Sequence, residues 1–152
     1  MKINKIDADG VKLITQWEGL KLKPYLCSAG VPTIGYGSTR YENGTKVKLT
    51  DASITKERAI ELFKNTISSY ERDVDAFCRD DINQNQFNAL VSFAYNLGSN
   101  ALKKSSLLKK VNENPNNPQI ASEFRKWVYA GGKIISGLVN RRNAEIEIYF
   151  KK

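Results

Sequence analysis

At 152 residues, with 41% hydrophobic and 26% charged side chains, the chain has the size and balance of one globular domain able to bury its own core. It contains no histidine, which removes Ser-His-Asp and Cys-His nucleophile systems in their usual form, and its two cysteines are too few for an ordinary zinc centre. Of the hydrolytic chemistries open to a small protein, carboxylate chemistry remains well supplied. A formal net charge of +8 points to an anionic partner: nucleic acid, an anionic membrane surface or a cell-wall polymer. The basic residues are spread along helical patterns and accompany no recognisable nucleic-acid motif, so nucleic acid is not expected as the partner.

In chain order, the opening M-K-I-N-K-I-D-A-D-G lacks the apolar run of a signal peptide, and nowhere do roughly 18 apolar residues follow one another. The expectation is a protein that accumulates in the cytosol, with Cys27 and Cys78 as free thiols. Asp7 is a candidate N-cap for a first helix carrying Ala8, Val11, Ile14 and Trp17 on one face, stopped by Gly19. A small β region is expected over about 20–48, with Asn43-Gly44 as its strongest hairpin cue. Thr55 caps a long second helix with an apolar stripe from Ala59 to Phe77.

Asn83 and Gln86 have the spacing of a capping box for a core helix that Gly98 closes. One short helix through Leu102 to Val111 follows, then a loop rich in Asn and Pro. A further helix is expected to carry Ile120, Phe124, Trp127 and Val128. Gly131-Gly132 marks a turn, and the last helix is placed at Leu138 to Phe150. Its apolar face is read as core, with Arg141, Arg142, Lys151 and Lys152 solvated. A membrane-engaging alternative rests on the same cationic and apolar mixture.

The reactive side chains concentrate between Trp17 and Gly37. Glu18 follows an apolar tryptophan at the expected end of the first helix, a position that can keep a carboxylic acid protonated near neutral pH. Eight residues separate it from Cys27, five more separate Cys27 from Thr33, and I-G-Y-G follows. A turn between short strands would bring the three together.

This spacing, with F-A-Y-N-L-G from Phe93 to Gly98, W-V-Y-A-G-G from Trp127 to Gly132 and G-L-V-N-R-R-N-A-E from Gly137 to Glu145, resembles the phage-type lysozymes of glycoside hydrolase family 24. The resemblance implies a mostly helical α+β lysozyme-like fold: a small N-terminal β region joined by a long helix to a helical body over about 55–152, all one catalytic domain. It implies an endolysin that hydrolyses the β-1,4 bond between N-acetylmuramic acid and N-acetylglucosamine in peptidoglycan, without a cofactor or metal. Glu18 then serves as general acid, and Cys27 and Thr33 take the second role at the anomeric carbon. Cys27 departs from the family's commoner Asp, and an unperturbed thiol is only a few per cent ionised at pH 7. Either the site lowers its pKa, through a nearby arginine for example, or Cys27 shapes the pocket.

Arg141 matches the family's arginine near the catalytic Glu, and Asn96, Ser105 and Ser106 are candidates for substrate contacts. The resemblance also implies a monomer held in the host cytoplasm until a holin opens the membrane, after which it acts on the wall from the periplasm. The competing reading is a non-catalytic cationic module that binds cell wall or nucleic acid.

Overall fold

The computed structural model describes residues 2–151, so Lys152, expected on the last helix, lies outside the described residues. Seven helices and four short strands follow one another among those residues. The chain separates into two compact units, Thr15 to Ser69 and the remainder, with the boundary inside the long second helix. This is the mostly helical α+β architecture, with a small β region and a connecting helix, that the resemblance implies.

In the smaller unit, β1 (Lys21–Leu26) pairs antiparallel with β2 (Pro32–Gly35), Tyr25 opposite Thr33 and Leu26 opposite Pro32. The register slips between Lys21 and Tyr25, the stretch that contains Pro24, which has no N–H to give to a ladder. The Asn43-Gly44 cue closes a tight loop in which the Tyr41 amide donates to the Thr45 carbonyl at 2.9 Å and Arg40 bridges Lys46. Helix α2 (Lys56–Phe77) begins where expected, with the Thr55 hydroxyl accepting from the Arg58 amide at 3.1 Å. Ile34, Val47 and Leu62 form the core of this unit, with Tyr41 and Ile54 packed on it.

In the larger unit, α1 (Ala8–Thr15) is capped by Asp7, whose carboxylate accepts from the Gly10 amide at 3.1 Å. A Cβ on Gly10 would come within 2.7 Å of the Asn88 side chain, so the close approach of α1 to the core helix requires glycine there. That core helix, α3 (Gln84–Leu97), opens on the expected Asn83/Gln86 capping box and ends at Gly98. The single helix expected over Leu102 to Val111 is instead two, α4 (Ser99–Lys104) and α5 (Ser106–Glu113). Ser105 breaks them apart: its hydroxyl donates to the Leu102 carbonyl at 2.6 Å and caps the Leu108 amide at 3.1 Å.

Helix α6 (Ile120–Arg125) stops short of Trp127 and Val128, and a hairpin of β3 (Tyr129–Ala130) and β4 (Lys133–Ile134) turns at the expected Gly131-Gly132. The last helix, α7 (Ser136–Tyr149), begins two residues earlier than expected. Its packing also corrects the expectation of solvated charges, because Arg141, Arg142, Glu145 and Tyr149 make up its buried residues. An aromatic array of Phe93, Phe124, Trp127 and Tyr149, with ring centroids 5.4 to 5.8 Å apart, fills the interior around them. Both cysteines are free.

Candidate active site

Glu18 sits just beyond the end of α1, on a turn whose Glu18 amide donates to the Thr15 carbonyl at 3.1 Å. It is half-buried, beside a half-buried Trp17. Extended chain through Leu20 leads into β1, and a five-residue turn from Cys27 to Val31 reverses the strand. The Cys27 amide donates to the Val31 carbonyl at 3.1 Å, and the Gly30 amide returns to the Cys27 carbonyl at 2.8 Å. Gly30 adopts φ +77°, a conformation that a side chain disfavours.

The turn decides the state of the thiol. The Val31 and Ala29 amides, in that order, and then the Thr33 hydroxyl favour the anionic form of the Cys27 sulfur, so its pKa lies below the ordinary thiol value. No arginine contributes, contrary to the route suggested from sequence. The surroundings are a small nest of backbone N–H groups, the device by which turns bind anions. Thr33 is buried at 3% exposure, and its hydroxyl donates to the Val31 carbonyl at 2.8 Å. Its single proton has two calls on it, that carbonyl and the thiolate, while its oxygen can still accept.

Tyr25 was not singled out from sequence. It lies opposite Thr33 in the ladder, and its phenol is pushed up by burial first, then by charge on Cys27 and on Glu18. Tyr25 therefore stands within electrostatic reach of both reactive groups. Its position two residues before Cys27, on the same strand face, was the available signal.

The larger unit holds a second polar cluster. Glu145 and Arg142 are fully buried and paired at 2.8 Å, with Arg141 at 4% exposure and 3.5 Å from the same carboxylate. The Ser92 hydroxyl donates to Glu145 at 2.5 Å, and Arg141 donates to the Ser92 carbonyl at 3.3 Å. Arg142 donates to the Asn96 side-chain oxygen at 2.6 Å and lies 5.2 Å from the Phe93 ring centre. Burial pushes the Glu145 carboxyl up and the Arg142 guanidinium down, and their mutual attraction opposes both shifts.

Of the residues expected to bind substrate, Asn96 and Arg141 belong to this network. Ser105 caps α5, and the Ser106 hydroxyl donates to Glu123 at 2.5 Å. Ser92, Arg142 and Glu145 were not expected in a buried network, although the three- and four-residue spacings within N-R-R-N-A-E carried the signal for the helix pairs.

The comparisons with known proteins agree with this architecture. The Phage lysozyme family model matches residues 15–145. The endolysin of Bacillus phage B103 is 39% identical over 145 residues, covering 95% of this chain and 53% of that protein, so the chain spans about half the length of that relative. The endolysin of Salmonella phage P22 is 34% identical over 145 residues, covering 95% and 97%. Among solved structures, an endolysin from Escherichia coli O157:H7 phage FAHEc1 superposes with a TM-score of 0.87 at 33% identity, covering 99% of this chain and 97% of that one. With motif spacing, fold and near full-length likeness in agreement, the chain belongs to the phage lysozyme family.

Proposed function

We propose that the chain is the catalytic domain of an endolysin, a muramidase that hydrolyses the β-1,4 bond between N-acetylmuramic acid and N-acetylglucosamine in peptidoglycan. The observation that carries this reading is the Cys27 turn, where backbone amides favour the thiolate form of a sulfur nine residues after Glu18 and beside Thr33. Glycoside hydrolysis needs a proton for the leaving oxygen and a second group at the anomeric carbon. Glu18 gives the proton. The Cys27 thiolate supplies negative charge opposite the developing oxocarbenium ion, and Thr33 orients a water by accepting a hydrogen bond from it. Tyr25 shields and positions the pair.

Asn96, Ser105, Ser106 and Arg141 are retained in this proposal as substrate-binding residues, the first three by contact and Arg141 by positioning. Each already makes an intramolecular bond, so contact with glycan uses what remains: the Asn96 amide nitrogen and one lone pair on each serine hydroxyl. Arg141, being buried, acts through Glu145 and the Ser92 carbonyl. The family setting supports a monomer that reaches the wall after a holin has breached the membrane. No described helix is long and apolar enough to cross one.

The test is release of reducing ends from purified peptidoglycan. Glu18→Gln, with native circular dichroism, should lose about 10² to 10⁴-fold in rate, the worth of a positioned general acid. Retention of more than about a tenth of the wild-type rate would remove Glu18 from the proposal. A cationic module that only binds the wall releases no reducing ends in any form.

A further inference from the structure

The larger unit contains a cavity of about 350 Å³ between the start of α3 and the end of α7, lined by Asn83, Gln86, Asn116, Tyr149, Phe150 and Lys151. None of these residues takes part in the Cys27 turn or the Glu145 network, and none is acidic. Its walls are set by the fold. The Tyr149 hydroxyl donates to the Pro115 carbonyl at 2.7 Å, and the Asn85 side chain donates to the Lys151 carbonyl at 3.2 Å. The chain at the end of α7 is thereby tied both to the Asn-Pro loop and to the first turn of α3. Phe150 is left at the mouth, 38% exposed, with its ring centre 4.9 Å from that of buried Tyr149.

The cavity has hydrogen-bond donors to spare. Gln86 is 5% exposed, and its side-chain nitrogen reaches only the Pro115 carbonyl at 3.3 Å and the Asn116 oxygen at 3.4 Å, both longer than a good N–H···O bond. The Asn83 oxygen is taken by the Gln86 amide at 2.8 Å, while the amino groups of Asn83 and Asn116 have no partner among the described residues. Lys151 is the one cation in the lining and it is exposed, so charge does not dominate. Three side-chain amides beside an exposed ring suit a compact neutral ligand with several oxygens and an apolar face. A pyranose has that character, and an acetamido group gives it a carbonyl acceptor.

We propose that this cavity is a second glycan-binding site, taking one N-acetylhexosamine unit of the polymer with its ring against Phe150 and its acetamido oxygen toward Gln86 and Asn116. The inference rests on the muramidase reading and goes beyond it, because the site holds substrate without cleaving it. A glycan strand repeats the same unit many times, so an enzyme that has cut one bond stays attached and the effective concentration of further bonds remains high. A short fragment brings no such gain, since it has few units beyond those at the bond being cut.

Two measurements test it. In the first, hydrolysis of intact sacculi is compared with hydrolysis of a soluble glycan tetrasaccharide. The exposed pair Asn116→Ala/Phe150→Ala should raise KM for sacculi by about tenfold and leave kcat, and both constants for the tetrasaccharide, unchanged. An unchanged KM for sacculi overturns the proposal. An equal loss on both substrates overturns it too, because a site that only holds the polymer does not act on the fragment.

In the second measurement, N-acetylglucosamine is titrated into labelled wild-type protein. Saturable shifts of the Asn83, Gln86 and Asn116 side-chain amides should appear, and the Gln86 shift should be lost in the double variant. Glucose, which lacks the acetamido group, should shift them less. No saturable shift at these amides, or an equal one from glucose or from sodium acetate, overturns the assignment. If wild type cleaves neither sacculi nor fragment, the muramidase reading fails while the titration still decides the site.

Discussion

The protein holds negative charge in two ways. At Cys27 the anionic form of a thiol is favoured by backbone amides of its own turn, and every partner lies within six residues of it. At Glu145 a carboxylate is held by two arginines on its own helix and by Ser92, 53 residues away, with no exposed surface. The first arrangement needs only a correctly formed turn, and water screens whatever is imperfect. The second requires the whole helical unit, because a charge inside it has no solvent to fall back on. The turn is therefore suited to chemistry, where an ion must meet substrate, and the network to holding α3 and α7 in one arrangement.

The largest expected effect breaks the buried side of this contrast. Glu145→Gln leaves Arg141 and Arg142 as buried cations without their counter-charge and should cost about 3–5 kcal/mol, read from urea unfolding at pH 7. Arg142→Met combined with Glu145→Leu should recover part of that loss, with a coupling of at least about 1 kcal/mol in a double-mutant cycle. A Glu145→Gln variant within about 1 kcal/mol of wild type would show the network to be dispensable.

Next in size is the reactive turn. If the thiolate is what assists hydrolysis, Cys27→Ser should fall by about 10²-fold in rate, since a hydroxyl in the same nest does not ionise. Cys27→Asp should keep activity. The sign of the pH effect follows from a lowered thiol pKa. Thiolate is present above the folded-state value and lost as pH falls through it, so the rising limb of wild-type activity should lie below the ordinary thiol range of about 8.5. In Cys27→Asp that limb should move into the carboxylate range. A Cys27→Ser enzyme that is fully active across the pH range assigns Cys27 to packing and leaves Thr33→Val as the damaging change.

The two thiols sharpen the comparison within one residue type. Burial pushes Cys78 up to about 12, whereas the turn lowers Cys27. Iodoacetamide at about pH 8 should therefore label Cys27 first by a wide margin, as mass spectrometry of the digest would report. Equal labelling would deny the turn its effect.

The smallest effect is expected at the exposed ion pair of the smaller unit, where Glu42 takes two nitrogens of Arg58. Glu42→Gln should cost no more than about 1 kcal/mol, and less with added salt, in the same unfolding assay that reports on Glu145→Gln. A loss comparable to that at Glu145 would mean that burial is not what separates the two carboxylates.

Much of the fold was legible because its signals are satisfied locally. The Asn83/Gln86 capping box, the Thr55 and Asp7 caps and the Asn43-Gly44 turn each bond within four residues, so spacing alone reveals them. The break at Ser105 is equally local, yet it lies in a stretch without Gly or Pro, where Ser105 had been considered for substrate rather than as a cap. Helix α7 was the harder case. Its basic residues look like a solvated face, and only their partners at Ser92 and Asn96, 53 and 46 residues from Glu145 and Arg142, turn that face inward.

The sequence by itself determined the spacing of Glu18, Cys27 and Thr33, the turn and cap positions, the long connecting helix and the family, all of which depend on residues near one another in the chain. Tertiary structure decided which face of α7 is buried, that Tyr25 feels both Glu18 and Cys27, and that the start of α3 and the end of α7 enclose an amide-lined cavity. These depend on how much water each polar group loses and on what stands across from it, and neither quantity exists until distant segments pack.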